Sequence, residues 1–339
     1  MKRRWVKCLY DEEWIRFAQD IAPFNLDETL PGRPVVGRWP GYKEGEVPHP
    51  HAQYEGKYIL GLIGLYQKEK DEKLLMRARE VADFLLWSQY DKDGYSRLSR
   101  IKNPLWKYGW PDHNFSWRSG NIYTWKKYEP IHHEETICII SLVKVFELTK
   151  ERKYLESCKN WVDYQVPRYG FFSGKWKNLE YHFTCYNPID VEDRNPGRDA
   201  VNNVQSLVSM ALASTGYHLK DKKMLEDAYK LLIYLCKEQR QDGFWHYYGS
   251  EWFEDFGESI PSFEYEVCYM QGQLCEMSIA VEYLKKSHIG EIAPIEESIN
   301  KGEEFLANNG FEQLVTHPNR KKDSGFKEGR YDYRLSHAP

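Results

Sequence analysis

Residues 132–166 read HHEETICIISLVKVFELT, then KERK, then YLESCKNWVDYQV. The first piece opens on polar residues and becomes apolar nearly all round, which marks a helix buried on every side. Four charged residues turn the chain. The second piece carries its apolar residues on one face only, as a helix covering the first would. Tyr169-Gly170-Phe171 ends the unit, and an aromatic-rich excursion comes next.

The same plan recurs three more times. His51 begins AQYEGKYILGLIGLYQ, the chain turns at KEKDEK, and LLMRAREVADFLLWSQ reaches Asp93-Gly94-Tyr95. RDAVNNVQSLVSMALAST turns at LKDKK, and MLEDAYKLLIYLCKEQ reaches Asp242-Gly243-Phe244-Trp245. FEYEVCYMQGQLCEMSIAVEYL passes a longer turn, and IEESINKGEEFLANN reaches Gly310-Phe311. A fifth first-helix opens at Tyr331-Asp332-Tyr333. Starts near 51, 132, 199, 264 and 331 lie roughly 65 to 80 residues apart, the length of a helical hairpin plus a loop. Leu225, Ala228, Leu232 and Leu235 show the one-faced spacing of the second helices. First helices therefore form an inner ring and second helices an outer one, an all-α α/α toroid. We expect one domain over 1–339, with an N-terminal helix and loop over 1–47. Hairpins then occupy about 48–130, 131–197, 198–262 and 263–330, and 331–339 form a terminal segment.

Composition narrows the function classes. The 339-residue chain is 41% hydrophobic and 29% charged with a net charge of −4, so it folds and carries no basic stripe for nucleic acid. No run approaches the roughly 20 apolar residues of a bilayer span. Met1-Lys2-Arg3-Arg4-Trp5 is basic but is followed by Asp11, Glu12 and Glu13, which does not suit a signal peptide. The seven cysteines are scattered and odd in number, as in a reducing compartment, so the cytoplasm is expected. Aromatics make up 15% of the chain, with 12 Trp and 25 Tyr, and many fall between the helices.

Each inner helix opens with residues able to do chemistry. They are His51 and Tyr54; His133, Glu134 and Glu135; Arg198, Asp199, Asn202 and Asn203; Tyr265 and Glu266; and Tyr331 and Asp332. Acidic residues belong in a first turn for dipole reasons alone, but capping does not ask for His-His-Glu-Glu. His49-x-His51 and the 132–135 run hold metal-ligand types, yet neither matches a zinc template of two histidines four apart beside a glutamate. We therefore expect no metal and no cofactor.

This plan resembles the six-hairpin glycosidase-like class, which includes unsaturated-glucuronyl hydrolases, uronate lyases and sugar epimerases. The resemblance covers about residues 48–339 and implies inner-helix carboxylates, His and Tyr at a cleft lined with Trp and Tyr. A second resemblance is to terpene cyclases and prenyltransferases. LLIYLCKEQRQDGFW (231–245) is similar to their outer-helix repeat, and Asp190-Val191-Glu192-Asp193 to an acidic cyclase motif with Glu192 in the third place. The first resemblance implies an enzyme acting on an oligosaccharide or uronate-containing glycan. A hydrolase would pair Glu134 or Glu135 with Asp199 or Glu266. A lyase or epimerase would take its base from Tyr54, His51, His133, Tyr265 or Tyr331, with Arg198 or Asn202 and Asn203 on a carboxylate. Trp245 and Asp332 would contact substrate. A glycan-binding scaffold without catalysis is the remaining alternative.

Overall fold

The computed structural model describes residues 14, 15, 18, 19, 26–37, 49–119, 122–192, 194, 195, 197–256 and 263–309. Three two-residue turns of one chemistry set its architecture. Helix α1 (Ala52–Glu69) ends at Lys70, whose left-handed backbone (φ 58°) sends its N–H back to the Tyr66 carbonyl. Asp71 then turns extended and caps α2 (Glu72–Ser88) by accepting the Lys73 N–H. Lys150 and Glu151 make the same turn between α3 (His132–Thr149) and α4 (Arg152–Tyr164), with φ 62° at Lys150. Lys220 and Asp221 repeat it between α5 (Asn202–Leu219) and α6 (Lys222–Glu238), with φ 58° at Lys220. A short left-handed turn of this kind folds the second helix back antiparallel on the first.

The short α7 (Ser250–Phe256) leads to the fourth pair, α8 (Phe263–Lys286) and α9 (Ala293–Asn309). Helix α1 packs on α3, α3 on α5, and α5 on α8, which makes the inner row. Each outer helix lies on its own inner partner. One apolar core runs through all four pairs, from Ile59 through Ile139 and Leu212 to Leu284. This is the α/α toroid architecture, and the fifth start at 331 lies outside the described residues.

A glutamine closes each of the first three outer helices and laces it to a neighbouring segment. Gln89 accepts from Ser157 of α4 (2.9 Å), and Gln239 accepts from Ser298 of α9 (2.8 Å). Gln165 turns its amide instead to the Lys107 carbonyl (2.6 Å). Tryptophans finish the joints: Trp110 Nε1 donates to the Leu85 carbonyl and Trp245 Nε1 to that of Leu235, at 2.9 and 2.7 Å.

The aromatic excursions, read as loops, contain small antiparallel hairpins. These are β1 (Val36–Gly37) with β2 (His49–Pro50), β3 (Trp117–Ser119) with β4 (Tyr123–Trp125), and β5 (Phe172–Trp176) with β6 (Leu179–Phe183). Lys177 and Asn178, at φ 47° and 66°, supply the two left-handed residues of a tight β5–β6 turn. Helical periodicity gave no sign of such short strands.

Helices α1 and α3 approach closely at Gly56. A Cβ there would stand 2.9 Å from Ile137 Cγ2 and 3.1 Å from the Ile137 backbone. That approach lets the first turns of the two helices share one set of side chains. Gly56→Val is expected to lower stability by about 2 kcal/mol or more, as overpacking does. A melting temperature unchanged by calorimetry would refute the close approach.

Candidate active site

His51 precedes α1 with an extended backbone, and its ring does not cap the helix. Its Nδ1 instead stands 3.1 Å from Asp112 Oδ1. His113 Nδ1 lies 2.9 Å from the same oxygen. Asp112 and His113 come from the segment after α2, which is fastened at both ends. The Trp110 N–H donates to Glu135 Oε1 (3.1 Å), and the Tyr128 N–H donates to the His113 carbonyl (2.6 Å). All three site residues are buried, Asp112 completely.

Glu134, in the first turn of α3, completes the group: its carboxyl is hydrogen-bonded to that of Asp112. The oxygens Asp112 Oδ2 and Glu134 Oε2 are buried and meet no N–H donor among the described residues. Two negative charges within hydrogen-bonding reach of each other in a buried place would repel strongly. The pair therefore holds together around one proton. Burial, then the charge of Asp112, raises Glu134 well above the usual carboxylate range. Asp112 is held well below its own despite burial, through its bonds to Glu134, His113 and His51.

Other rings surround the pair. His133 Nε2 is 3.6 Å from Glu134 Oε1, and its ring stacks on Tyr186 at 5.5 Å. Tyr54 packs against His51 at 5.3 Å, and burial and the Glu134 charge push its hydroxyl up. An aromatic path joins the two ends: His113 to Trp117 (6.1 Å), Trp117 stacked on Trp125 (6.0 Å), and Trp125 to Tyr186 (6.2 Å). His51, Asp112 and His113 are also the three residues whose ligand atoms lie within 4.8 Å of one another, so a metal would bind here if anywhere among the described residues.

The remaining sequence candidates spread out. Glu135 lies one residue from Glu134 but faces another way, accepting from Trp110 and standing 3.4 Å from the Tyr169 hydroxyl. Asp199 is buried against its own excursion, where it pairs with Arg194 (2.6 Å) and binds both the backbone and side-chain N–H of Asn187. Arg198 pairs at the surface with Glu254 and Asp255 of α7, at 2.9 and 3.0 Å. Asn202 donates to the His246 carbonyl (2.8 Å), whereas Asn203 sits partly buried beside it on α5. Trp245 is a core residue with its N–H spent on Leu235. Tyr265 and Glu266 belong to α8, but their side chains lie outside the described residues, as do Tyr331 and Asp332 entirely. Asp190 binds Arg168 (3.0 Å), and both Asp190 and Glu192 face solvent rather than a dry cavity. Asp112 and His113 escaped the sequence reading because they sit in an excursion, 61 residues from His51, where no helical period points to them.

No family model matches the chain, and no curated protein matches it in sequence. Solved structures match its fold. Cellobiose 2-epimerase from Spirochaeta thermophila is 14% identical, with TM-score 0.55 over 94% of this chain and 73% of that one. A glycoside hydrolase family 76 α-mannanase from Bacteroides thetaiotaomicron is 12% identical, with TM-score 0.52 over 90% and 73%. The chain spans 62% of the unsaturated glucuronyl hydrolase from Bacillus sp. GL1, at 16% identity, TM-score 0.48 and 76% of this chain. At these identities the likeness of the epimerase and the mannanase shows the fold alone, an α/α toroid. No described helix is long and apolar enough to cross a membrane.

Burial lifts Glu135 from 4.5 to about 8, so folding takes up a proton there. A raised folded-state value means the stability is complete below 4.5 and is lost as the pH rises through about 8. Melting temperatures scanned over that window are expected to decline less steeply in Glu135→Gln. Identical slopes would show that this carboxyl does not carry the proton.

Proposed function

We propose that this chain is a carbohydrate-active enzyme performing acid–base chemistry on an oligosaccharide or uronate-containing glycan, with Glu134 handing over the proton. The observation that supports it most is the contact of the Asp112 and Glu134 carboxyls at the N-terminal ends of α1 and α3. Two acids around one proton form a donor beside its own conjugate acceptor, the pairing general acid–base catalysis needs. Trp117 beside His113 and Tyr186 beside His133 give the cluster aromatic neighbours, the residue type that sugar-binding clefts use.

In the hydrolytic form, Glu134 protonates the glycosidic oxygen while a second carboxylate, for which Glu266 of α8 is the sequence candidate, activates water or attacks the sugar. One observation favours a second form. Glycosidase carboxyls usually stand about 5 to 9.5 Å apart to admit a nucleophile or a water, whereas Asp112 and Glu134 touch. Removal of the proton beside a uronate carboxyl, by elimination or epimerisation, needs no such gap. His133 would then serve as base and Glu134 as acid. The buried free thiols of Cys138, Cys158, Cys185, Cys236 and Cys275 suit work in a reducing cytoplasm.

A panel of neutral and uronate-bearing oligosaccharides separates these forms. New reducing ends report hydrolysis, ultraviolet absorbance of a new ring double bond reports elimination, and deuterium entering an uncleaved sugar from D2O reports epimerisation. Glu134→Gln is expected to slow whichever occurs by about 100- to 10,000-fold. Full turnover in that variant would sink the assignment of Glu134. A wild-type chain that binds glycans but turns over none would instead be a scaffold.

A further inference from the structure

Three side chains in the candidate site meet at one atom. His51 Nδ1 and His113 Nδ1 lie 3.1 and 2.9 Å from Asp112 Oδ1, and one ligand atom from each residue lies within 4.8 Å of the other two. The two imidazoles are not stacked. Their centroids are 4.8 Å apart with planes 73° from parallel, so both can turn an edge to the same point. Zinc ligands at about 2.0–2.2 Å in a tetrahedron stand roughly 3.3 Å from one another, close to both gaps.

We propose that His51, Asp112 and His113 bind one divalent first-row transition-metal ion, with zinc the best fit. Two imidazoles and one carboxylate are the donor set of three-ligand sites that keep a fourth position open. The open position would take water or a sugar oxygen. Asp112 ligates through Oδ1, the oxygen facing both histidines, and its carboxyl is also bonded to that of Glu134. A ligating carboxylate held by a second acid is the support that metal sites commonly use to orient a ligand. The scaffold around the ligands is already fastened. Trp110 is tied to Glu135 on one side and His113 to Tyr128 on the other, and His51 sits at the start of α1. The three ligands are far apart in sequence except for the Asp112-His113 pair, which is why no spacing template revealed them.

The test uses the full chain stripped with a chelator and the zinc ion alone as probe. Competition against a chromophoric chelator should show one equivalent of zinc bound per chain. Asp112→Asn and His113→Gln should each weaken it at least ten-fold, and Glu134→Gln by about ten-fold. His218→Gln, whose ring binds Glu147 of α3 rather than the site, should bind as the wild type does. Circular dichroism checks that each variant folds, and zinc should raise the melting temperature of the wild type but not of Asp112→Asn. No stoichiometric uptake, or uptake undiminished in His113→Gln, overturns the proposal. The site shares Asp112 with the glycan reading, but the two fail separately. Zinc bound to a chain that turns over no glycan keeps the site and removes that reading, and full turnover in a zinc-free chain that takes up no metal does the reverse.

Discussion

The Trp110 amide donates to the buried carboxyl of Glu135, and the candidate site depends on that bond. The acceptor sits in the first turn of an inner helix, and the donor belongs to the excursion arriving from the previous hairpin. Two residues beyond the donor comes Asp112. One residue before the acceptor comes Glu134. Closing the first contact therefore aligns the second, and consecutive glutamates divide the work between holding the segment and meeting its aspartate. The arrangement is costly if broken. An unpaired buried amide loses about 1–3 kcal/mol, and Asp112 would lose its place between His51 and His113.

Neighbouring joints obey the same logic with different residues. The indole N–H of Trp110 ties its segment to the end of α2, and the indole of Trp245 repeats that tie at the end of α6. Gln89 and Gln239 bond the next outer helix through a serine. Asp199 holds its own excursion through Arg194 and Asn187. Buried polar groups in this fold thus hold loops against helices, because each loop brings backbone groups into a place where water cannot satisfy them. Several residues that looked chemical in sequence take part in that work. Glu135, Asp199, Trp245 and the amide nitrogen of Asn202 all bond partners in the core.

Ionisable side chains crowd the start of the second inner helix. The second inner helix begins with four polar residues in succession, of which His132 is stacked on Tyr169 at 3.8 Å and bonded to the Cys185 carbonyl. Burial pushes that ring down to about 3, so it remains a neutral packing group. Its neighbour His133 is more open and lies beside Glu134. Side chains one position apart on a helix point about 100° apart, so this run serves a core, a loop anchor and a site at once.

Helical hairpins were legible in the sequence because burial imposes a period on it. HHEETICIISLVKVFELT had to be an all-buried helix, and YLESCKNWVDYQV a one-faced one, from the spacing of their apolar residues alone. The Lys-Asp and Lys-Glu turns were visible too, as charged breaks between apolar runs. That Glu134 belonged to a site was suggested by the same run, since capping has no need of so many ionisable groups. Tertiary structure alone decided its partner. Asp112 and His113 lie in an excursion with no period, and a carboxyl pair needs only contact in space, which chain spacing does not encode. Packing at Gly56 brought α1 beside α3, the Trp110–Glu135 bond brought the excursion over both, and those two long-range contacts set His51, Asp112, His113 and Glu134 side by side.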